Sequence, residues 1–150
     1  MSAYASNDRA RFDYEILETF EAGLLLEGHE VKSVRNGKIS IKGSYVQIFG
    51  NEAYLVGGLI SPYQPGNVPS DYDSQRTRKL LLKRSELKYL IGKSQEAGLT
   101  LVPIKVYNKN NLIKLEIGVA RGKKKYDKRE TIKKRETDRY ISAKMKRRIN

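Results

Sequence analysis

Residues 99–121 read LTLVPIKVYNKNNLIKLEIGVAR, and this stretch decides the fold. Two runs rich in β-branched and aliphatic residues, Leu99 to Tyr107 and Leu112 to Arg121, flank Asn108-Lys109-Asn110-Asn111. Apolar and polar residues alternate along both runs, the period of a strand with one buried face. Ile104 and Val106 are expected to share that face with Ile113, Leu115, Ile117 and Val119, so the stretch predicts an antiparallel hairpin.

Working outward, the same period-2 pattern starts at Phe12, with Tyr14, Ile16, Glu18 and Phe20 on one side; Ala22-Gly23 then suggests a bulge before Leu24. Residues 1–8 are small and polar and are expected to fray. Gly28 to Arg35 predicts a short helix stopped by Asn36-Gly37. Ser44 to Ile48 and Glu52 to Val56 predict a second hairpin around Phe49-Gly50-Asn51. Ser61 to Gln75 holds three of the four prolines and reads as a long exposed loop. A short strand at Lys79 to Leu82 follows, then a helix capped at Ser85, carrying Leu87, Leu90, Ile91 and Ala97, and ended by Gly98.

About six strands without βαβ alternation, plus two or three short helices, predict a mainly β fold. The expected form is an antiparallel barrel with a helix inserted between strands, the oligonucleotide-binding (OB) arrangement. At 150 residues the chain holds one such domain, assigned to residues 1–122. Residues 123–150 differ in kind. They hold 13 Lys/Arg against 4 Asp/Glu and neither Gly nor Pro, so this tail carries +9 of the chain's formal +13. A cationic arm on a compact body points to a polyanion, RNA or DNA, which it attracts by releasing condensed counterions; a merely solubilising tail is the competing reading. Ile141, Met145 and Ile149 form a narrow apolar stripe at helical spacing, too little to hold a helix in water. The tail is therefore expected to be disordered when free and helical when bound.

The chain has no cysteine, which removes disulfides, thiolate ligands and cysteine nucleophiles and suits a reducing cytoplasm. No apolar leader and no membrane-length run appear. His29 is the sole histidine and has no Cys or carboxylate cluster beside it in sequence. No P-loop, HExxH or GxSxG pattern occurs, so an enzyme is not expected. A metal nuclease assembled from Glu21, Glu30 and lysines is the remaining catalytic alternative, and no cofactor or metal is expected.

Basic residues of the body fall into groups suited to phosphate. Arg9 and Arg11 stand beside Asn7; Lys32 and Arg35 lie on the first helix, with Lys38 and Lys42 beyond it; Arg76, Arg78, Lys79, Lys83 and Arg84 surround Leu80-Leu81-Leu82. Apolar side chains beside such cations suit unstacked RNA bases. On pattern alone, a basic ribosomal or ribosome-assembly protein is an alternative.

Several strings carry a closer likeness: NDRARFDYEILETFEAGL at 7–24, GHEVKSVRNGK at 28–38, SYVQIFGNEAYL at 44–55, RTRKLLLKRSEL at 76–87, GLTLVPIKVYNKN at 98–110, KLEIGVARGKKKYDKRETIKKRE at 114–136 and the MKR at 145–147. In order and spacing they resemble the SsrA-binding protein (small protein B) family of bacterial trans-translation. The resemblance implies an OB-like barrel that binds the tRNA-like domain of transfer-messenger RNA (tmRNA). It further implies delivery of alanyl-tmRNA, with elongation factor Tu and GTP, to stalled ribosomes, by a protein expected to be monomeric. The tail would become helical in the empty message channel and meet small-subunit RNA at the decoding centre. By the same resemblance Asn7, Glu21 and Leu81 are tmRNA-binding positions. Lys123, Lys124, Lys125, Asp127, Lys128 and Arg129 open the ribosome-reading tail, and Ile141, Met145 and Lys146 fall in its distal part. Phe12 stands where relatives often have His.

Overall fold

The computed structural model describes residues 3–64, 66 and 68–123. Its elements in chain order are β1 (Ala3–Ser6), α1 (Asp8–Asp13), β2 (Tyr14–Leu24), α2 (Gly28–Arg35), β3 (Ile39–Ser40), β4 (Tyr45–Phe49), β5 (Glu52–Val56), β6 (Leu59–Ile60), β7 (Arg78–Leu81), α3 (Arg84–Ser94), β8 (Leu99–Lys109) and β9 (Leu112–Gly122). Seven strands form one antiparallel sheet in the order β1-β8-β9-β2-β7-β5-β4, and β3 pairs with β6. The fold is mainly β, as the pattern predicts. Its sheet folds back so that β4 packs against β8 and β1 against β3. Among the described residues β1 and β4 do not pair, so the ladder is an open version of the expected barrel.

The two hairpins turn as their residues require. Asn110 and Asn111 (φ 52° and 62°) close β8 onto β9, and Gly50 and Asn51 (φ 58° and 64°) close β4 onto β5. Consecutive left-handed residues make the turn whose twist matches paired strands, and Asn and Gly enter that region most readily. The first loop is thus two residues, with Asn108 and Lys109 still in the ladder.

The N-terminus departs from the expected frayed arm and strand. Ala3–Ser6 pairs with β8, and the strand read from Phe12 begins only at Tyr14, because residues 8–13 are helical. Asn7 joins the two elements: its N–H donates to Ile104 O at 2.7 Å and its side-chain amide to Pro103 O at 3.0 Å. Pro103 has no N–H for the ladder, and the β8–β9 register slips between Pro103 and Lys105. That slip removes Ile104 from the row predicted for it. Val106, Ile113, Leu115, Ile117 and Val119 enter the main core, whereas Ile104 joins Ala10, Val102 and Ala120 beneath α1. The bulge in β2 also lies elsewhere, between Ile16 and Glu18. Gly23 instead bridges two ladders, opposite Lys114 on β9 and Leu81 on β7.

The helix after β7 starts at Arg84, behind Lys83, and stops at Ser94; Gly98 (φ 81°) turns the chain into β8. In α2 a reciprocal cap satisfies the first turn: the Glu27 side chain accepts from the Glu30 N–H, and the Glu27 N–H donates to Glu30 Oε1 at 2.9 Å. Glu30 is fully buried and so is Arg78.

Candidate nucleic-acid interface

Pairing register, rather than any local motif, assembles the site. Successive strand residues alternate faces, so Glu21 and Gly23 share the side of β2 opposite buried Ala22 and Leu24. One row crosses four strands as Leu81, Gly23, Lys114 and Tyr107, and the neighbouring row runs Glu21, Glu116, Lys105. Leu81 is 49% exposed and is accompanied by Leu25 and Leu112, also exposed. A groove of about 290 Å³ runs between them, floored by Gly23 and flanked by Arg35 and Lys114. Arg35 is held there by donating to Asn111 O at 2.8 Å. Exposed leucines beside fixed cations suit the apolar face of an unstacked base together with its phosphate.

Glu21 accepts from Tyr107 Oη at 2.5 Å and from Lys109 Nζ at 3.3 Å. The tyrosine hydrogen bond and the nearby Lys109 and Lys114 hold the Glu21 carboxyl below its ordinary value, against a smaller opposing effect of burial. Burial, followed by that same bond and the Glu21 charge, drives the Tyr107 phenol far above its ordinary value. Glu21 is therefore an ionised acceptor and Tyr107 a permanent donor to it. A second concavity, lined by Ser6, Asn7, Asp8, Arg11, Ile104, Lys105 and Glu116, adjoins the Glu116–Lys105 row.

Of the residues singled out in the sequence, the structure gathers Asn7, Arg11, Glu21, Arg35 and Leu81 around these two depressions. Arg9 is exposed beside them in sequence, pairing with Asp13 at 3.6 Å and lying 4.8 Å over the Phe12 ring. Lys79 shares Leu81's strand face and pairs with Glu52 at 3.8 Å. Lys32 lines a separate hollow with His29, Tyr63 and Gln64.

The basic cluster around Leu80 is divided rather than presented as one grip. Arg78 is turned inward and wholly buried, donating to Glu30 Oε2, Gly58 O, Tyr72 Oη and Ser74 O. Arg76 binds the same carboxylate. These two arginines hold the long loop onto α2 and leave no guanidinium face for phosphate at Arg78. Glu30, offered as a nuclease carboxylate, is consumed in this cluster. Burial acts to raise its pKa, but the hydrogen bonds from Arg76, the Glu27 N–H and Arg78 overcome that and pull it to about 2. Among the described residues no group of three His, Cys, Asp or Glu could hold a metal ion.

Sequence reading missed Tyr107, Lys105, Lys109 and Lys114. Their signal was present in the alternation with buried Val106, Ile113 and Leu115, which puts all four on the opposite face of the sheet, where Tyr107 is nonetheless covered. Of the tail positions only Lys123 is described, its N–H donating to Asp13 O at 2.9 Å. Lys124, Lys125, Asp127, Lys128, Arg129, Ile141, Met145 and Lys146 lie outside the described residues. Among the described residues no helix is long and apolar enough to cross a membrane.

Comparison with known proteins gives this geometry a family. The SmpB protein family model matches residues 4–147. An SsrA-binding protein of Enterococcus faecalis is 50% identical over 142 residues, 95% of this chain and 92% of the relative. That of Geobacillus thermodenitrificans is 53% identical over 137 residues, 91% and 88% of the two chains. A solved chain described under "tmRNA-SmpB: a journey to the center of the bacterial ribosome" superposes with a TM-score of 0.65 at 46% identity, covering 85% of this chain and 92% of that one. Matched nearly end to end by the family model and by relatives sharing half its residues, the chain belongs to the SmpB family.

Proposed function

We propose that this protein binds the tRNA-like domain of tmRNA and brings alanyl-tmRNA to ribosomes stalled on truncated messages, in company with elongation factor Tu and GTP. The observation that carries the reading is the pair of adjacent rows on one sheet face, Leu81-Gly23-Lys114 and Glu21-Glu116, with Arg35 and Lys109 beside them, in a chain of the SmpB family. Leucines meet exposed bases, cations meet phosphates, and Glu21 accepts from an amino group or a ribose hydroxyl. Asn7 and Arg11 extend the surface along β8.

Residues 1–122 act as the RNA-holding body. Residues 123–150 act as a separate basic arm that becomes helical in the vacant message path, where Lys123 to Arg129 and then Ile141, Met145 and Lys146 contact small-subunit RNA. The role is one of binding and shape mimicry, without catalytic chemistry, and it is exercised in the cytoplasm by a monomer. Affinity purification of the chain from cells, followed by sequencing of the bound RNA, tests the assignment: tmRNA should dominate, and a population of ribosomal RNA without tmRNA would refute it. Incubating the purified protein with that RNA and divalent metal should leave the RNA uncut.

A further inference from the structure

Glu21 and Tyr107 stand on β2 and β8, with β9 between them, and yet they are hydrogen-bonded at 2.5 Å. Lys109 Nζ reaches the same carboxylate oxygen, Oε2. Among the described residues both donors go to Oε2 and neither to Oε1. Tyr107 is only 7% exposed, whereas the Glu21 side chain is 34% exposed. The phenol is further confined by Lys105, whose Nζ lies 5.4 Å from the ring centroid.

A surface glutamate ordinarily rotates among many rotamers and presents its charge diffusely. Here two donors from one strand anchor one carboxylate oxygen, while the other keeps its lone pairs. The anion also stands opposite Glu116, a like-charge cross-strand pairing that is unfavourable by itself. An ionised carboxylate repels phosphate; what it binds from RNA is a neutral N–H or O–H.

We propose that Tyr107 is a positioning residue, fixing the Glu21 carboxylate so that Oε1 accepts a hydrogen bond from a neutral donor of the bound RNA. Two sources carry that chemistry, the ribose 2′-hydroxyl and an exocyclic amino group of a base. The inference rests on the assignment of this face to tmRNA and specifies which atom reads it. Lys109 is the second clamp on the same oxygen.

The test titrates the full-length chain against a transcript of the tRNA-like domain. Tyr107→Phe removes one oxygen and leaves the ring, and it should bind about tenfold more weakly, the size of a lost hydrogen bond to a charged group. Lys109→Met should weaken binding in the same direction. In a Glu21→Ala background Tyr107→Phe should cost nothing further, because its effect passes through that carboxylate. Transcripts carrying 2′-deoxy positions, or inosine for guanosine, separate the two donors: the substitution that weakens the wild type but not Glu21→Ala marks the partner. Wild-type affinity in Tyr107→Phe, fully additive losses in the double variant, or no substitution that depends on Glu21 would each overturn the proposal. Were Glu21→Ala and Leu81→Ala also to bind normally, the assignment of the face itself would fall; a loss in those two with none in Tyr107→Phe rejects only the positioning role.

Discussion

Glu30 Oε2 and Arg78 Nη2 lie 2.7 Å apart with neither side chain exposed to water. The pair ties α2 to β7 across the core, and Tyr72 adds a bond from the long loop to Glu30 at 3.1 Å. Removing one partner strands the other as a buried charge. Glu30→Ala should therefore destabilise the protein by about 3 kcal/mol or more, read as a lower urea midpoint, while the folded fraction keeps its RNA affinity. A loss of RNA affinity in fully folded Glu30→Ala would place this cluster in the interface instead.

The same carboxylate sets an acid limit. Its folded pKa of about 2 lies below the ordinary 4.5, so folding favours the ionised form. The stability it contributes is fully present above the ordinary value and is lost as pH falls toward the folded one, roughly 3 kcal/mol in total for a shift of this size. Unfolding free energy measured between pH 5 and pH 2 should fall steeply in the wild type and more gently in Glu30→Gln.

Leu81→Ala changes an exposed side chain and should leave melting nearly unchanged, whereas Glu21→Ala also takes the acceptor from the covered Tyr107 hydroxyl and should cost about 1 kcal/mol. Each should weaken tmRNA binding by about 1–3 kcal/mol, the range of an interface anchor. Arg11→Gln removes a candidate phosphate contact and should flatten the log–log salt dependence by roughly 0.7 to 0.9. Titrations at several salt concentrations separate the two classes: the first pair lowers affinity at every salt, the second lowers the slope.

Gly118 lies where a Cβ would come 2.8 Å from Ile104 Cδ1 and 3.3 Å from Ile16 Cγ2. Gly118→Val should cost about 1–3 kcal/mol through overpacking of the small cluster under α1. Denaturant unfolding checks the cost, and a companion Ile104→Val should recover part of it.

Replacing Asp127, Lys128 and Arg129 together with alanine should leave tmRNA affinity close to normal and abolish tagging of stalled products in a translation assay. If affinity collapses instead, the tail belongs to the RNA grip and the two-part scheme is wrong.

The central hairpin was legible because its alternation is long and Asn-Asn permits the turn that alternation needs. Helix α2 was legible for a similar reason, its apolar spacing and its Asn-Gly stop agreeing. The N-terminal strand was not: Ala3–Ser6 has no apolar alternation of its own and is ordered by pairing with β8, a contact about a hundred residues away. Nor could period-2 reading foresee that Pro103 would shift the register and send Ile104 to a different cluster. At the site, family likeness supplied Glu21 and Leu81, but only the register showed them to be neighbours through Gly23. Arg78 misled because charge in a sequence says nothing of direction; the buried carboxylate that receives it sits 48 residues earlier, on another element.

The hydrogen bond from Lys123 N–H to Asp13 O fastens the last described residue to the opening of β2, where Gly122 lies opposite Tyr14. Tension applied beyond that point would enter the molecule at this end of the β2–β9 ladder and peel its rungs one at a time. The rung holding Lys114 opposite Gly23 is eight residues further along, about 27 Å at strand rise. A tug on the arm would thus reach the end of the ladder beside Arg11 before it reached the leucine groove around Gly23.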